Sequence, residues 1–267
     1  MFFRRNKNSS RPAAAAATVN NQKPVTYITP NGQYYKPFLT MVANNHLLVA
    51  GATGSGKSVA INGIITSLVM VDSPYNVQFI FIDPKRVELQ QYEKLPHCVY
   101  YADNKSDIIK GLTMAVIEME RRFTIMKARQ EKTFTGSKLY IVVDELSDIM
   151  TSYKKECFPL LLKLAQLGRA AKCFLICASQ TVLAKIITSE FRCNFPVILG
   201  LRTATAQQSR MLIDCNGCER LPDPKATGKG QGIIRDGADT FDIDIYKYPD
   251  SEITRVINYW TSKACIA

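Results

Sequence analysis

The chain has 267 residues, 46% hydrophobic and 21% charged, with a formal net charge of +11. That length and composition suit a globular chain with a substantial core, as one large domain or two small ones. No run of about 18 or more apolar residues occurs, so direct membrane insertion as a helix is excluded. Eight scattered cysteines, several in apolar segments, fit a reduced, cytoplasmic setting better than a disulfide framework.

Residues 1–28 read as a flexible basic tail. It carries Arg4, Arg5, Lys7, Arg11 and Lys23 with no acid, and its only apolar run is Ala13 to Ala17, too weak for a signal peptide. The body from 29 to 267 keeps 29 basic and 23 acidic residues, an excess of +6. Such an excess suits a polyanion partner; a solvated surface accounts for it equally well.

The first predicted strand, Leu47 to Ala50, runs into Gly51, Ala52, Thr53, Gly54, Ser55, Gly56, Lys57 and Ser58, followed by Val59. This is the G-x-x-x-x-G-K-S pattern in its required context of strand, loop and helix. Glycines let the backbone curl with its N–H groups inward around phosphate oxygens, and a helix from about 57 to 69 turns its positive end to the same anion. Lys57 is placed to reach the β- and γ-phosphates, and the Ser58 hydroxyl to ligate Mg²⁺. ATP or GTP is the expected ligand.

Further along, 77–83 reads as a buried strand and 106–130 as a long amphipathic helix with Ser106 as its cap. A second buried strand, within 138–146, is followed by a helix at 157–172 and a strand at 173–180. Then come a strand at 195–202, a helix near 205–214, a hairpin at 230–248 turning at Asp236–Gly237, and a final helix holding Trp260. The rhythm predicts an α/β fold with a mostly parallel sheet and helices on both faces.

Two candidate sites lie at strand ends. Tyr140 to Val143 lead directly into Asp144 and Glu145. In nucleotide-hydrolysing machines such a pair divides the labour, Asp144 holding Mg²⁺ and Glu145 activating the attacking water. The adjacent Glu argues against switch GTPases and small-molecule kinases, and favours hydrolysis coupled to motion. Gln180, at the end of the next strand, can bond the γ-phosphate or the water; a plain loop residue is the alternative. Cys215 and Cys218 form a C-x-x-C with no second pair at zinc spacing, His46 and His97 being distant in sequence.

The phrases HLLVAGATGSGKSV, FIFIDPKRVELQQYEKLPH, EMERRF, YIVVDELSDIM, LAQLGRAAK, ASQ and SRMLIDCNGCERL occur in that order. Together they resemble the motor domain of FtsK/SpoIIIE-type DNA translocases, RecA-like ATPases that work as hexameric rings on double-stranded DNA. The resemblance runs from about residue 35 to 263 and implies one RecA-like motor domain over 29–267, with a C-terminal β-hairpin and helix. It implies phosphate and Mg²⁺ roles for Lys57 and Ser58, hydrolysis by Asp144 and Glu145, and a sensor at Gln180. Arg169 matches the arginine presented to the neighbouring subunit's nucleotide, and Arg210 a residue in a loop touching DNA phosphate. The chain departs from the family at Thr181-Val182, where Arg-Pro is usual, at Ala206, where lysine is common, and at Lys172-Cys173, where Gly-Ile is usual.

The resemblance therefore implies an ATP-driven, sequence-independent translocase of duplex DNA. The stretch given shows no leading domain, winged helix or anchor of the larger relatives. That suggests a compact motor of a mobile element, in conjugative transfer, packaging or segregation, with a loading or membrane-recruiting protein as a further partner. A second reading, motivated by the two lost charges, is an FtsK/SpoIIIE-like ATPase that drives protein export.

Overall fold

The computed structural model describes residues 3–5 and 42–264. In chain order the elements are β1 (Phe3–Arg5), β2 (Leu47–Ala50), α1 (Lys57–Val71), β3 (Val77–Ile82), β4 (Cys98–Ala102) and α2 (Lys105–Arg129). They continue with β5 (Lys138–Val143), α3 (Leu146–Ser152), α4 (Lys154–Leu167), β6 (Cys173–Ser179), α5 (Ser189–Arg192) and β7 (Val197–Gly200). The last are α6 (Ala206–Ile213), α7 (Pro224–Thr227), β8 (Gly230–Asp236), β9 (Asp239–Ile245) and α8 (Asp250–Ala264).

One nine-stranded sheet has the order β1-β9-β8-β7-β2-β6-β5-β3-β4. From β7 to β4 every pairing is parallel, and β8, β9 and β1 extend the β7 edge antiparallel. Parallel strands covered on both faces read as continuous apolar runs, and β2, β6 and β7 are buried at every position. On one face α1 and α8 close a core with Ile61, Ile64, Phe81 and Tyr140. The Trp260 indole N–H donates to the Val69 carbonyl at 2.9 Å and locks α8 onto α1. On the other face α2 and α4 pack over Ile80, Ile141, Leu175 and Ile198.

Several boundaries differ from the sequence reading, each for a local reason. The cap of α2 is Asn104 rather than Ser106: its side-chain oxygen accepts the Asp107 N–H at 3.1 Å, and the helix starts at Lys105. The helix expected at 157–172 covers 154–167 instead. It stops at Gly168, where a Cβ would lie 2.3 Å from the Cys173 carbonyl and 2.5 Å from that of Leu164. Lys172 then takes a left-handed φ of 51° to enter β6. The first helix is two residues longer than read, while the strand expected at 195–202 shortens to Val197–Gly200. The strand β4 and the helix α3 had no counterpart in the reading. Of the tail at 1–28, only Phe3–Arg5 are described, their backbone pairing antiparallel with β9; the rest lies outside the described residues.

Two buried polar side chains fix the edge of the sheet where the parallel strands begin. Arg122, 1% exposed, donates through Nη1 to the carbonyls of Ser137 (2.8 Å), Ala171 (3.0 Å) and Lys172 (3.1 Å). Its Nε pairs with Glu118 at 2.8 Å, and the guanidinium lies 4.7 Å from the Phe134 ring centre. His46, immediately before β2, accepts the Leu175 N–H on Nδ1 at 2.8 Å. Burial, and then the Arg169 charge, push its pKa down to about 3, so the imidazole is neutral. Replacing Arg122 with Met keeps the bulk but takes the guanidinium from the buried carbonyls of Ser137 and Ala171, while that of Lys172 keeps the Leu139 N–H. We expect a loss of about 3–5 kcal/mol of stability, read as a lower denaturation midpoint in urea.

Candidate nucleotide site

The loop after β2 sits where the strand order departs from chain order, with β6 on one side and β7 on the other. Open parallel sheets form clefts at such positions, beyond the carboxyl ends of their strands. Backbone bonds brace the loop from both neighbours: Gly51 N–H donates to Ser179, and Ala52 N–H to Arg202. At Gly51 a Cβ would fall 2.6 Å from Leu201 Cβ and 2.8 Å from Ser55 Oγ, so no larger residue fits. Gly54 and Gly56 take φ of 80° and 95°, the left-handed conformations that curl the loop.

The resulting cleft, about 250 Å³, is lined by Ala52, Thr53, Gly54, Gly56, Lys57, Ser58, Val59 and Gln180. Its size, its position at the start of the 15-residue α1 and its lysine suit a polyphosphate. Ser55 is buried against the loop rather than lining the cleft, its hydroxyl without a protein partner.

The strand order brings the other expected residues together. β6 lies between β2 and β5, so Gln180, just beyond β6, stands between the loop and the Asp144–Glu145 pair. The Thr53 hydroxyl donates to Gln180 Oε1 at 3.0 Å. Lys57 Nζ donates to the Asp144 carbonyl at 2.8 Å and to Asp144 Oδ1 at 3.3 Å, and lies 3.8 Å from Glu145 Oε2. Burial pushes the Asp144 carboxyl up, against the pull of Lys57. Burial pushes Glu145 the same way. There the Ser147 hydroxyl, the Gln180 N–H, Lys57 and Lys85 outweigh it and hold the carboxyl below its usual range.

Ser58 lines the cleft and Asp144 lies behind it, bonded to the cleft's Lys57; both are hard oxygen donors, a set that fits Mg²⁺ when phosphate and water complete the shell. Bound Mg²⁺ would supply positive charge against that of the phosphates. Among the described residues no group of three or more His, Cys, Asp and Glu could hold a metal by itself. Cys215 and Cys218 are free thiols, Cys218 buried.

Two expected residues lie elsewhere. Arg169 is exposed in the turn between α4 and β6, at the opposite edge of the sheet. The seven-residue β6 separates that turn from the cleft by about 20 Å, so Arg169 cannot touch a ligand bound in its own subunit. Arg210, expected in a loop, lies in α6; it is exposed and donates to Asn216 Oδ1 at 2.7 Å. Conversely, the sequence reading gave no role to Lys85, whose Nζ lies 3.4 Å from Glu145 Oε2 and 3.7 Å from Asp148 Oδ2. Its signal was the Asp-Pro-Lys at the end of a buried strand.

Residues 16–138 match the model of the FtsK/SpoIIIE family. The chain is 32% identical over 240 residues to the DNA translocase FtsK of Listeria monocytogenes, covering 82% of this chain and 31% of that protein. It is 35% identical over 196 residues to the DNA translocase FtsK of Oceanobacillus iheyensis, covering 66% and 25%. It thus spans about a third or less of these relatives. Among solved structures, the pCW3 conjugation coupling protein TcpA with ATPγS superposes with a TM-score of 0.71 at 23% identity, over 82% of this chain and 66% of that one. The type VII secretion ATPase EccC of Thermomonospora curvata gives 0.69 at 22% identity, over 80% and 28%. At these identities the two structures establish the fold alone: that of P-loop ATPases.

Replacing Lys57 with Ala removes a cation that lines the cleft and takes from Asp144 its charged partner. Titration with a fluorescent ATP analogue is expected to give affinity lower by roughly 10- to 100-fold. Unchanged affinity would place the ligand elsewhere.

Proposed function

For a chain that carries an FtsK/SpoIIIE-family domain, we propose an ATP-hydrolysing motor that moves along double-stranded DNA without reading its sequence. The observation that carries this reading is the convergence of Lys57, Asp144, Glu145 and Gln180 at the ends of three adjacent strands. In this reading Lys57 leaves Asp144 for the β- and γ-phosphates. Ser58 and Asp144 hold Mg²⁺. Glu145 takes a proton from the attacking water, and Gln180 senses the γ-phosphate. Thr53 and Glu145, both bonded to Gln180 in the structure, give that sensor its contacts to the loop and to the base.

Arg169 acts in trans. Exposed at the edge opposite its own cleft, it completes the site of the next subunit, and hydrolysis then depends on ring assembly, a hexamer as in the family it resembles. Such arginines are worth ~10³–10⁵ in rate in related NTPases. The net positive charge, +11, and the relatives named DNA translocase support duplex DNA as the cargo, with Arg210 among its phosphate contacts. Contacts to phosphate give affinity without specificity, as a motor that follows any sequence requires. Transfer, packaging or segregation of a mobile element is the setting that suits a motor of this kind.

A second reading, export of a polypeptide, draws on Thr181-Val182 and Ala206, where the family commonly has charge, and on the secretion ATPase among its structural neighbours. One experiment separates the two. ATPase rate is measured without DNA, with duplexes of increasing length and with single strands, at low and moderate salt. Stimulation that rises with duplex length and falls steeply with salt is expected; no stimulation of an assembled hexamer by any DNA would favour a polypeptide cargo. Arg169→Ala is expected to bind nucleotide but not turn it over, and to regain activity when mixed with Lys57→Ala subunits. Absence of rescue at every mixing ratio would remove the trans assignment.

A further inference from the structure

The geometry points to Lys85 as a positioning residue for Glu145, holding the carboxylate in place for the water it activates. This rests on the reading of Glu145 as the base. Lys85 belongs to the turn that follows β3, which pairs with β5 so that Ile82 lies beside Val143 and the Asp144 N–H donates to the Ile82 carbonyl. Several groups of the turn on either side of Lys85 are tied down. Asp83 Oδ2 accepts the N–H groups of Glu88 (3.1 Å) and Leu89 (2.9 Å), and the Asp83 N–H donates to Ala102. Arg86 has a left-handed φ of 58°, which a non-glycine residue rarely adopts. Its N–H donates to the Asp83 carbonyl and its guanidinium pairs with Asp103 at 3.1 Å. A braced turn with one strained residue suits the presentation of a side chain, and this one carries the Lys85 ammonium to Glu145.

Each oxygen of Glu145 then has a fixed partner. Oε1 accepts from Ser147 Oγ at 2.5 Å and from the Gln180 N–H at 3.1 Å. Oε2 faces Lys85 at 3.4 Å and Lys57 at 3.8 Å. The two lysines are not equivalent. Lys57 lines the cleft and turns to phosphate when nucleotide binds, whereas Lys85 does not line it. Lys85 is therefore the cation that stays with Oε2 through the bound state. Asp148, at 3.7 Å, holds the ammonium from its other side, so that Lys85 bridges two carboxylates.

A residue that acts in this way moves turnover and not binding. Nucleotide affinity and phosphate release are to be measured on the whole chain for wild type, Lys85→Ala, Lys85→Arg, Glu145→Gln and the Lys85→Ala/Glu145→Gln double variant. Lys85 is 41% exposed, and a thermal melt of each variant checks that folding is intact. In Lys85→Ala, kcat is expected to fall roughly 10- to 100-fold while ATP affinity stays within about twofold. Lys85→Arg, which keeps the charge, should recover most of that loss. The double variant should be no slower than Glu145→Gln alone, because Lys85 acts through Glu145. Wild-type turnover in Lys85→Ala would overturn the inference. So would an affinity loss matching the rate loss, or a double variant slower by the full Lys85→Ala factor. Wild-type turnover in Glu145→Gln would instead remove the assignment of the base itself, and the inference with it.

Discussion

A buried cation shared between two buried carboxylates is the interaction on which the rest of the site depends. Lys57 is 5% exposed, Asp144 2% and Glu145 is fully buried. Charges withdrawn from water this far are tolerable only when paired and hydrogen-bonded. Every nearby element contributes to that condition: α1 delivers the lysine, β5 the carboxylates, β6 the Gln180 N–H, and the turn after β3 the Lys85 ammonium. A polyphosphate that draws Lys57 away leaves two carboxylates to be answered by a metal ion and by Lys85. Binding and charge rearrangement are therefore the same event.

The opposite edge of the sheet follows a different rule. There the polar groups satisfy backbone rather than ligand. Arg122 gathers three carbonyls from the segments entering β5 and β6, and the neutral His46 accepts from β6 while packing against Gly168. Between them they fix the turn that exposes Arg169. Neither residue is near the cleft, yet both bear on where Arg169 stands, and on what an adjoining subunit would meet.

Much of this was legible in the sequence because it depends on local pattern. The loop from Gly51 to Ser58 carries its own geometry in its glycines, and the buried parallel strands announce themselves as unbroken apolar runs ending in Asp144 and Gln180. What stayed hidden is set by tertiary contact. β4, five residues long with four of them partly or fully exposed, lacks the buried run of its neighbours and reads as loop. The end of α4 could not be placed because Gly168 is forced by the carbonyl of Cys173, which the helical pattern does not reveal. Ser106 looks like a cap in sequence, but the helix begins before it, at Lys105, with Asn104 as its cap. Lys85 went without a role because its partners lie 60 and 63 positions further along the chain. Only the pairing of β3 with β5 brings them within reach.

The shortness of β2 carries a mechanical consequence. β2 has four residues, with His46 seated against the Arg169 turn at one end and the phosphate loop at the other. An extended strand hydrogen-bonded on both sides cannot lengthen, and its close-packed surroundings do not absorb strain. It behaves as a stiff strut about 13 Å long. A shift of the loop that is not taken up by the loop itself arrives at the far end as a displacement of the same size. The fold thus has little slack between the edge that carries the cleft and the edge it offers outward.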